Sequence, residues 1–248
     1  MSGHSKWATI KHKKAAVDAK KGKIFSRLAR EIMIAARSGS DLSSNMTLRS
    51  LVQRARSVNM PADNIDRAIK KGTGELVGEA LEEKMYEGFG PGGIQIVVQA
   101  LTDNHNRTTA EIRNVFSRNG ANLAQGVLRN FRRKGRITVA DSKTTEDRLM
   151  EVALEAGADD LELDGNEFVV TTDPSALNPV VEAIQKAGIE ADNSEVVLLP
   201  DAYSMVTDRV VAAAVMRIVD ALDDLDDVQN VFTNMDVDEA VLASLGQE

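Results

Sequence analysis

Leu161-Glu162-Leu163-Asp164-Gly165-Asn166-Glu167-Phe168-Val169-Val170-Thr171 carries the sharpest fold signal in the chain. An Asp-Gly pair between two short runs rich in β-branched and apolar residues is a hairpin signature, because the pair tolerates the positive φ angles of a tight two-residue turn. Residues 161–163 and 168–171 are therefore expected to pair as strands. Upstream, 145–156 has helical periodicity and 136–140 alternates like a strand; downstream, 174–187 is helical and 189–191 is a short strand. The order is βαββαβ, that of a ferredoxin-like unit. Outside it lie a strand at 94–101, a helix at 108–118 and a strand at 127–131. A strand at 195–199, a helix at 206–223 and a strand at 228–233 follow on the other side. The expectation is an α+β protein with two interleaved ferredoxin-like α/β domains, 134–194 inserted into a discontinuous domain of 79–133 and 195–248. Such folds host many functions, so chemistry has to be argued from residues.

Residues 1–78 read differently. Helical patterns run over about 20–37, 45–58 and 61–71, with Gly39 and Gly72 as stop signals and Pro61 suited to a first helical position. Ile24, Phe25, Leu28, Ala29, Ile32, Ala35 and Ala36 share one side of the first helix. Lys20, Lys23, Arg27, Arg30 and Arg37 share the other, with Ile34 an unexplained apolar residue among them. Leu48, Leu51, Val52 and Ala55, then Ile65, Ala68 and Ile69, form the stripes of the next two helices, leaving Arg49, Arg56, Arg67, Lys70 and Lys71 outside. Lys70 and Lys71 also suit the negative end of a helix dipole. The expected unit is a small helical domain with a cationic exterior.

Charge separates the two parts. The 248-residue chain carries a formal net charge of −8, but residues 1–78 hold 16 Lys and Arg against 6 Asp and Glu, a net of +10, and the rest holds 14 against 32, a net of −18. A basic module that meets polyanions, joined to an acidic body that does not, is the direct implication. Ahead of the helices, Lys6, Lys11, Lys13, Lys14, Lys20 and Lys21 make a cationic arm around Trp7, the single tryptophan. Ten Lys and Arg face only Asp18 and Glu31 in the first 37 residues, more than solubility requires. Trp7 suits either a base stack or a packing anchor for the helices. Arg129, Arg132, Arg133, Lys134 and Arg136 form a second basic cluster, read as a charged turn between two strands and as a second place for phosphate contact.

Several chemistries find no support. There is no cysteine, so neither disulfides nor thiolate sites arise, and a reducing, cytoplasmic setting is expected. His4, His12 and His105 sit in separate settings, so no metal site, cofactor or catalytic triad is expected. No apolar run approaches a membrane span. The glycines of Gly88-Phe89-Gly90-Pro91-Gly92-Gly93 precede a strand and lack the Lys-Ser/Thr of a P-loop, which suits a turn. Thr108 with Glu111 reads as a capping box opening a helix, and Asp103 to Arg107 as its approach. Asp220, Asp223, Asp224, Asp226 and Asp227 read as a solvated acidic helix end, without the ligand alternation of a calcium loop.

Gly3-His4-Ser5-Lys6-Trp7-Ala8-Thr9-Ile10-Lys11-His12-Lys13-Lys14, Lys21-Gly22-Lys23-Ile24-Phe25, Asn59-Met60-Pro61, Arg67-Ala68-Ile69-Lys70-Lys71-Gly72, Tyr86-Glu87-Gly88 and Leu101-Thr102-Asp103-Asn104-His105-Asn106-Arg107-Thr108 closely resemble the YebC/PmpR family. The similarity extends through Ala221 to Val231. It implies a helical N-terminal domain, two interleaved α/β domains and a cytoplasmic non-enzyme. In bacteria the family implies a probable transcriptional regulator on promoter DNA. Some members look instead like ribosome-associated translation factors for proline-rich stretches, and the mitochondrial relatives are translational activators of cytochrome c oxidase subunit I. The resemblance assigns no individual base contact. Departures occur at Gly120 to Val127, shorter than the family pattern, and at Ser38-Gly39-Ser40-Asp41-Leu42, where a Gly-rich turn is usual.

Three partners follow: duplex DNA, ribosomal RNA in a ribosome, or a basic protein or regulator docked on the acidic body. An acidic body beside a basic module also predicts competition, the one folding onto the other and occupying its cations.

Overall fold

The computed structural model describes residues 21–77, 80–238 and 240–242. The chain divides into two compact units, one holding the described residues to 124 together with 214–231, the other 125–213 together with the described residues from 232.

The first unit begins with three helices, α1 (Lys21–Ala36), α2 (Met46–Ser57) and α3 (Ala62–Gly72). Each lies within a residue or two of its expected span. The Asn45 side chain starts α2 by accepting from the Leu48 amide at 3.0 Å, which satisfies one of the N–H groups a helix start leaves unpaired. Leu28, Ile32, Ala36, Leu48, Val52, Ala55, Met60, Ile65 and Ala68 close into one buried core. Gly72 was expected as a C-cap. It stands instead as the last helical residue, where a Cβ would meet the Met33 carbonyl at 2.4 Å and the Ala36 Cβ at 2.7 Å. Its job is the close approach of α3 to α1, and Thr73 takes the cap.

A four-stranded sheet follows, built from β1 (Glu82–Phe89), β2 (Gln95–Thr102), β3 (Asn122–Leu123) and β9 (Val228–Thr233) in the order β3-β1-β2-β9. The helix α4 (His105–Arg118) joins β2 to β3. Residues 82–89 were not expected as a strand, because Glu82, Glu83, Lys84 and Glu87 mask the alternation. They pair antiparallel with the strongly apolar β2 along its whole length. The turn between them is Gly90 to Gly93, with Gly92 and Gly93 at positive φ, so the glycine-rich segment is a structural turn as expected. Gly88 lies where a Cβ would meet the Asn122 carbonyl and a Phe116 ring carbon, so its lack of a side chain lets β3 and α4 seat against β1.

The second unit is the clearer ferredoxin-like element. Its strands are β4 (Phe131–Ala140), β5 (Ala158–Asp164), β6 (Glu167–Thr172) and β7 (Asn193–Pro200), with α5 (Glu146–Glu155) and α6 (Leu177–Lys186) between them. The order is β5-β6-β4-β7, with β5–β6, β6–β4 and β4–β7 all antiparallel. The hairpin forms, but its two-residue turn is Gly165-Asn166, one residue beyond the expected Asp164-Gly165: Asp164 is the last residue of β5 and pairs with Glu167, and of these residues only Gly165 has positive φ, at 63°. The closing strand lies at 193–200 and not at 189–191. The residues expected as a strand of the outer domain, 195–199, instead complete this sheet against β4. The expected strand at 127–131 is mostly a single turn of 3-10 helix, Leu128–Asn130. Ile137, Val139, Leu149, Ala153, Phe168, Val170, Val180 and Ile184 fill the core beneath α5 and α6. A short parallel pair, β8 (Ser204–Val206) with β10 (Met235–Val237), belongs to the same unit. The helix α7 spans Arg209–Asp223, with 209–213 counted in this unit and 214–223 in the first, and buries Ala212, Val215, Ile218, Val219 and Leu222.

Two alanine substitutions should separate tight approach from backbone freedom. Gly72→Ala is expected to lower stability by about 1–3 kcal/mol through overpacking. Gly22→Ala, in α1 with no neighbouring atom within 4 Å, should raise it by about 0.4–1 kcal/mol. Urea denaturation of the full chain measures both; equal effects would refute the packing role of Gly72.

Candidate nucleic-acid interface

The cationic side of α1 is not simply solvated. Lys23 Nζ lies 3.3 Å from Asp224 Oδ1, and the Arg27 guanidinium donates to the Asp223 carbonyl at 2.7 Å with that residue's carboxylate 3.7 Å away. Arg30 donates to the Asp226 carbonyl and stands 3.1 Å from Asp227 Oδ1. Arg37 donates to the Leu81 carbonyl at 2.8 Å. The 3.6-residue period that makes these residues one stripe also presents three of them together to the turn after α7. That turn was expected to be a solvated helix end. It is a receptor for α1, with cation contacts at carbonyls as well as carboxylates.

At its centre Asp227 is only 1% exposed. Its Oδ2 accepts from the Thr108 hydroxyl at 2.6 Å and from the Arg107 guanidinium at 2.7 Å, with the Thr102 hydroxyl 3.2 Å away. Its carbonyl accepts from the Leu101 amide at 2.8 Å. Oδ1 has the Arg30 charge beside it but no aligned hydrogen bond. Burial pushes the carboxyl up, while the Thr108 hydrogen bond and the Arg107 and Arg30 guanidiniums outweigh it and hold the group below the usual carboxylate range. Arg107 is raised further by its hydrogen bonds to Asp227 and Asp103. It lies 2.8 Å from Asp103, one helical turn back.

This arrangement corrects the capping expectation. Asn104 caps α4 by accepting from the Arg107 amide at 3.1 Å, so the helix begins at His105 and Thr108 lies inside it. Thr108 is fully buried and spends its hydroxyl on Asp227, a use no local pattern displays. Tyr86 extends the polar group, with its hydroxyl 3.0 Å from Thr109 Oγ1 and its ring stacked near His105.

Among the other residues read as nucleic-acid contacts, Lys6, Trp7, Lys11, Lys13, Lys14 and Lys20 lie outside the described residues, as does the side chain of Lys21. Arg56 on α2 and Arg67 and Lys71 on α3 are exposed. Lys70 is exposed too and bridges to Asp66 at 2.9 Å, which raises its pKa through that hydrogen bond and charge. Arg54 pairs loosely with Glu31 at 3.9 Å.

The second basic cluster is not a turn between two strands. Arg132, Arg133, Lys134 and Arg136 belong to the ten-residue strand β4, which alternation divides between faces. Arg132 forks onto Asp201 with both contacts at 3.0 Å, Lys134 reaches Asp159 at 2.8 Å and Arg136 reaches Glu195 at 2.8 Å. Arg129 and Arg133 are exposed. Three of the five cations are therefore matched by carboxylates of the same unit. Among the described residues no group of three or more His, Cys, Asp and Glu could hold a metal ion, and no helix is long and apolar enough to cross a membrane.

Comparison with known proteins assigns the chain. A family model described as "TACO1/YebC protein N-terminal domain" matches residues 5–75, and "TACO1/YebC second and third domain" matches 81–235. The chain belongs to the TACO1/YebC family. Among relatives named "Probable transcriptional regulatory protein", that of Koribacter versatilis is 50% identical over 98% of each chain. That of Treponema pallidum is 48% identical over 96% of this chain and 98% of its own. The crystal structure of a conserved hypothetical protein from Aquifex aeolicus, 42% identical, superposes with a TM-score of 0.84 over 91% of this chain and 94% of that one. The α+β architecture, with a helical N-terminal region and antiparallel sheets, is thus shared with an experimentally determined structure.

In this family member Asp227 should prove a stability residue. Asp227→Ala leaves the Arg30 and Arg107 charges facing each other with no carboxylate between them and is expected to cost about 3 kcal/mol. That is the lower end for breaking a buried pair, because both guanidiniums reach water. Because its folded pKa is depressed, the ionised carboxyl stabilises above the unfolded value, and that contribution is lost as pH falls through the folded one. Denaturation below about pH 4 should therefore be steeper in pH for the wild type than for Asp227→Asn. Matching slopes would refute the assignment.

Proposed function

We propose that the protein is a nucleic-acid-binding regulator of gene expression whose N-terminal helical unit contacts phosphates. The observation that carries this is the concentration of a +10 charge in residues 1–78, with Arg56, Arg67 and Lys71 exposed on the outside of the bundle. Relatives of nearly full-length similarity named probable transcriptional regulatory proteins support the regulatory part. The α2 and α3 cations supply part of the phosphate contact, and Lys6, Lys11, Lys13, Lys14 and Trp7 are proposed as further contacts from the sequence alone. The β4 cluster is assigned a secondary role through Arg129 and Arg133.

The cations stand with few Asn or Gln side chains positioned for base edges, so backbone contact supplies most of the affinity and little sequence information. Backbone-led contact of this kind slightly suits structured RNA or a ribosome, while the transcriptional names of the relatives favour DNA as the first reading. A ribosome-associated role is accordingly the second reading. An acidic protein-interaction adaptor is the third, carried by the net charge of −18 beyond residue 78.

About seven phosphate contacts correspond to a log K against log salt slope of about −6 on duplex DNA and about −5 on single strands. Replacing Arg56, Arg67 and Lys71 together by Gln should weaken binding evenly across sequences and reduce the magnitude of the slope by about 3. Fluorescence anisotropy across a salt series measures this. Salt-independent binding, or no binding, overturns the proposal. Crosslinking in cells with sequencing of the bound nucleic acid decides between targets, promoter enrichment supporting transcription and rRNA recovery supporting the ribosome.

A further inference from the structure

The phosphate-facing potential of α1 is covered by a segment of the same compact unit. From the contacts between α1 and the turn after α7 we propose that Asp223 and Asp224 act as an internal competitor for nucleic acid. They occupy Lys23 and Arg27, which become additional phosphate contacts when the turn lets go. The inference rests on the nucleic-acid reading above and adds a regulation of that surface.

The geometry separates a permanent part of this contact from an exchangeable part. Arg30 is tied to Asp227, which is nearly fully buried and further bonded to Arg107, Thr108 and Thr102. Removing it from that carboxylate would strand a buried charge, so Arg30 stays. Asp224 is different, with 82% of its side chain exposed where it meets Lys23. Arg27 and Asp223 are more covered, at 24% and 20%, but their carboxylate contact is long at 3.7 Å, and the Arg27 Nε has no hydrogen-bond partner. The exposed Lys23–Asp224 pair contributes only about 0.2–1 kcal/mol and is weakened by salt, whereas Arg27 also keeps its 2.7 Å hydrogen bond to the Asp223 carbonyl. A phosphate backbone presents a dense line of negative charge and gains from counterion release at each contact, so it competes effectively with two carboxylates.

The chemistry of the competitor also matches. A guanidinium that donates to a carbonyl beside a carboxylate can donate to phosphate oxygens in the same planar geometry. One turn separates Lys23 from Arg27, so both cations can follow one phosphate strand. The two outer contacts can therefore exchange while the Arg30–Asp227 anchor holds α1 in place, and the gate opens without unfolding the bundle.

The test uses the full chain and two probes, a mixed-sequence duplex DNA and a single-stranded RNA of matched length, titrated by anisotropy across a salt series. The combined Asp223→Asn and Asp224→Asn variant is compared with Glu151→Gln plus Glu155→Gln, which makes the same charge change on the exposed face of α5. The turn variant is expected to bind about threefold to tenfold tighter than the α5 control, with a duplex slope steeper by about 2. Adding Lys23→Gln and Arg27→Gln should remove the whole gain. Asp224→Asn alone, at the exposed position, gives a smaller gain and serves if the double variant melts early. Equal binding by the turn variant and the α5 control overturns the inference while leaving salt-dependent binding intact, and so does a gain that survives loss of Lys23 and Arg27. Absence of salt-dependent binding in every variant overturns the functional reading and this inference with it.

Discussion

A carboxylate that is 1% exposed and remains ionised has to be surrounded by donors, and the surroundings of Asp227 organise the first unit. Its partners come from α1 (Arg30), from the end of β2 (Thr102) and from the first turn of α4 (Arg107 and Thr108). An isolated charge in such a place would carry a desolvation cost of several kcal/mol. The pairing offsets it only because all these groups converge, so the acidic turn, the strand end, the helix start and the N-terminal helix are bound into one arrangement. The pKa direction follows the same balance: burial favours the neutral acid, and the hydroxyl and the two guanidiniums favour the anion strongly enough to win.

That constraint redistributes the charges that matter for function. The α1 stripe reads as a phosphate surface when α1 is viewed alone, yet Lys23, Arg27 and Arg30 are all engaged within their own unit. The cations exposed toward solvent on α2 and α3, Arg56, Arg67, Lys70 and Lys71, lie on the other helices of the bundle. The β4 cluster undergoes a similar change, since Arg132, Lys134 and Arg136 each face a carboxylate. A count of Lys and Arg thus overstates the free positive surface, while the location of the excess charge in the N-terminal third still distinguishes that third from the rest.

Local pattern was a good guide wherever local physics controls the outcome. The hairpin between β5 and β6, with its turn one residue beyond the expected pair, the Asn45 start of α2, the three helix spans and the β4-to-β7 order of elements follow from turn chemistry and periodicity. It was a poor guide where a long-range partner decides. β1 is charged and unconvincing as a strand by itself, and it becomes one because β2 offers an apolar edge along its full length. Residues 195–199 were legible as a strand but not as a member of a particular sheet, since pairing choice depends on which edge is free in three dimensions. Thr108 resembles a cap because its spacing to Glu111 suits one; Asn104 takes that place, and a carboxylate 119 residues away claims the Thr108 hydroxyl.

The sequence by itself determined the helical basic third, the order of elements in the ferredoxin-like unit, the absence of thiol chemistry and, through its motifs, the family. These depend on composition, on periods of two and 3.6 residues and on turn residues, all of which act over a few positions. Only the tertiary structure decided which cations are spent inside the molecule, because an ion pair between Arg30 and Asp227 has no signature in either segment. Its energy comes from a buried meeting of distant residues, and burial is created by the fold as a whole.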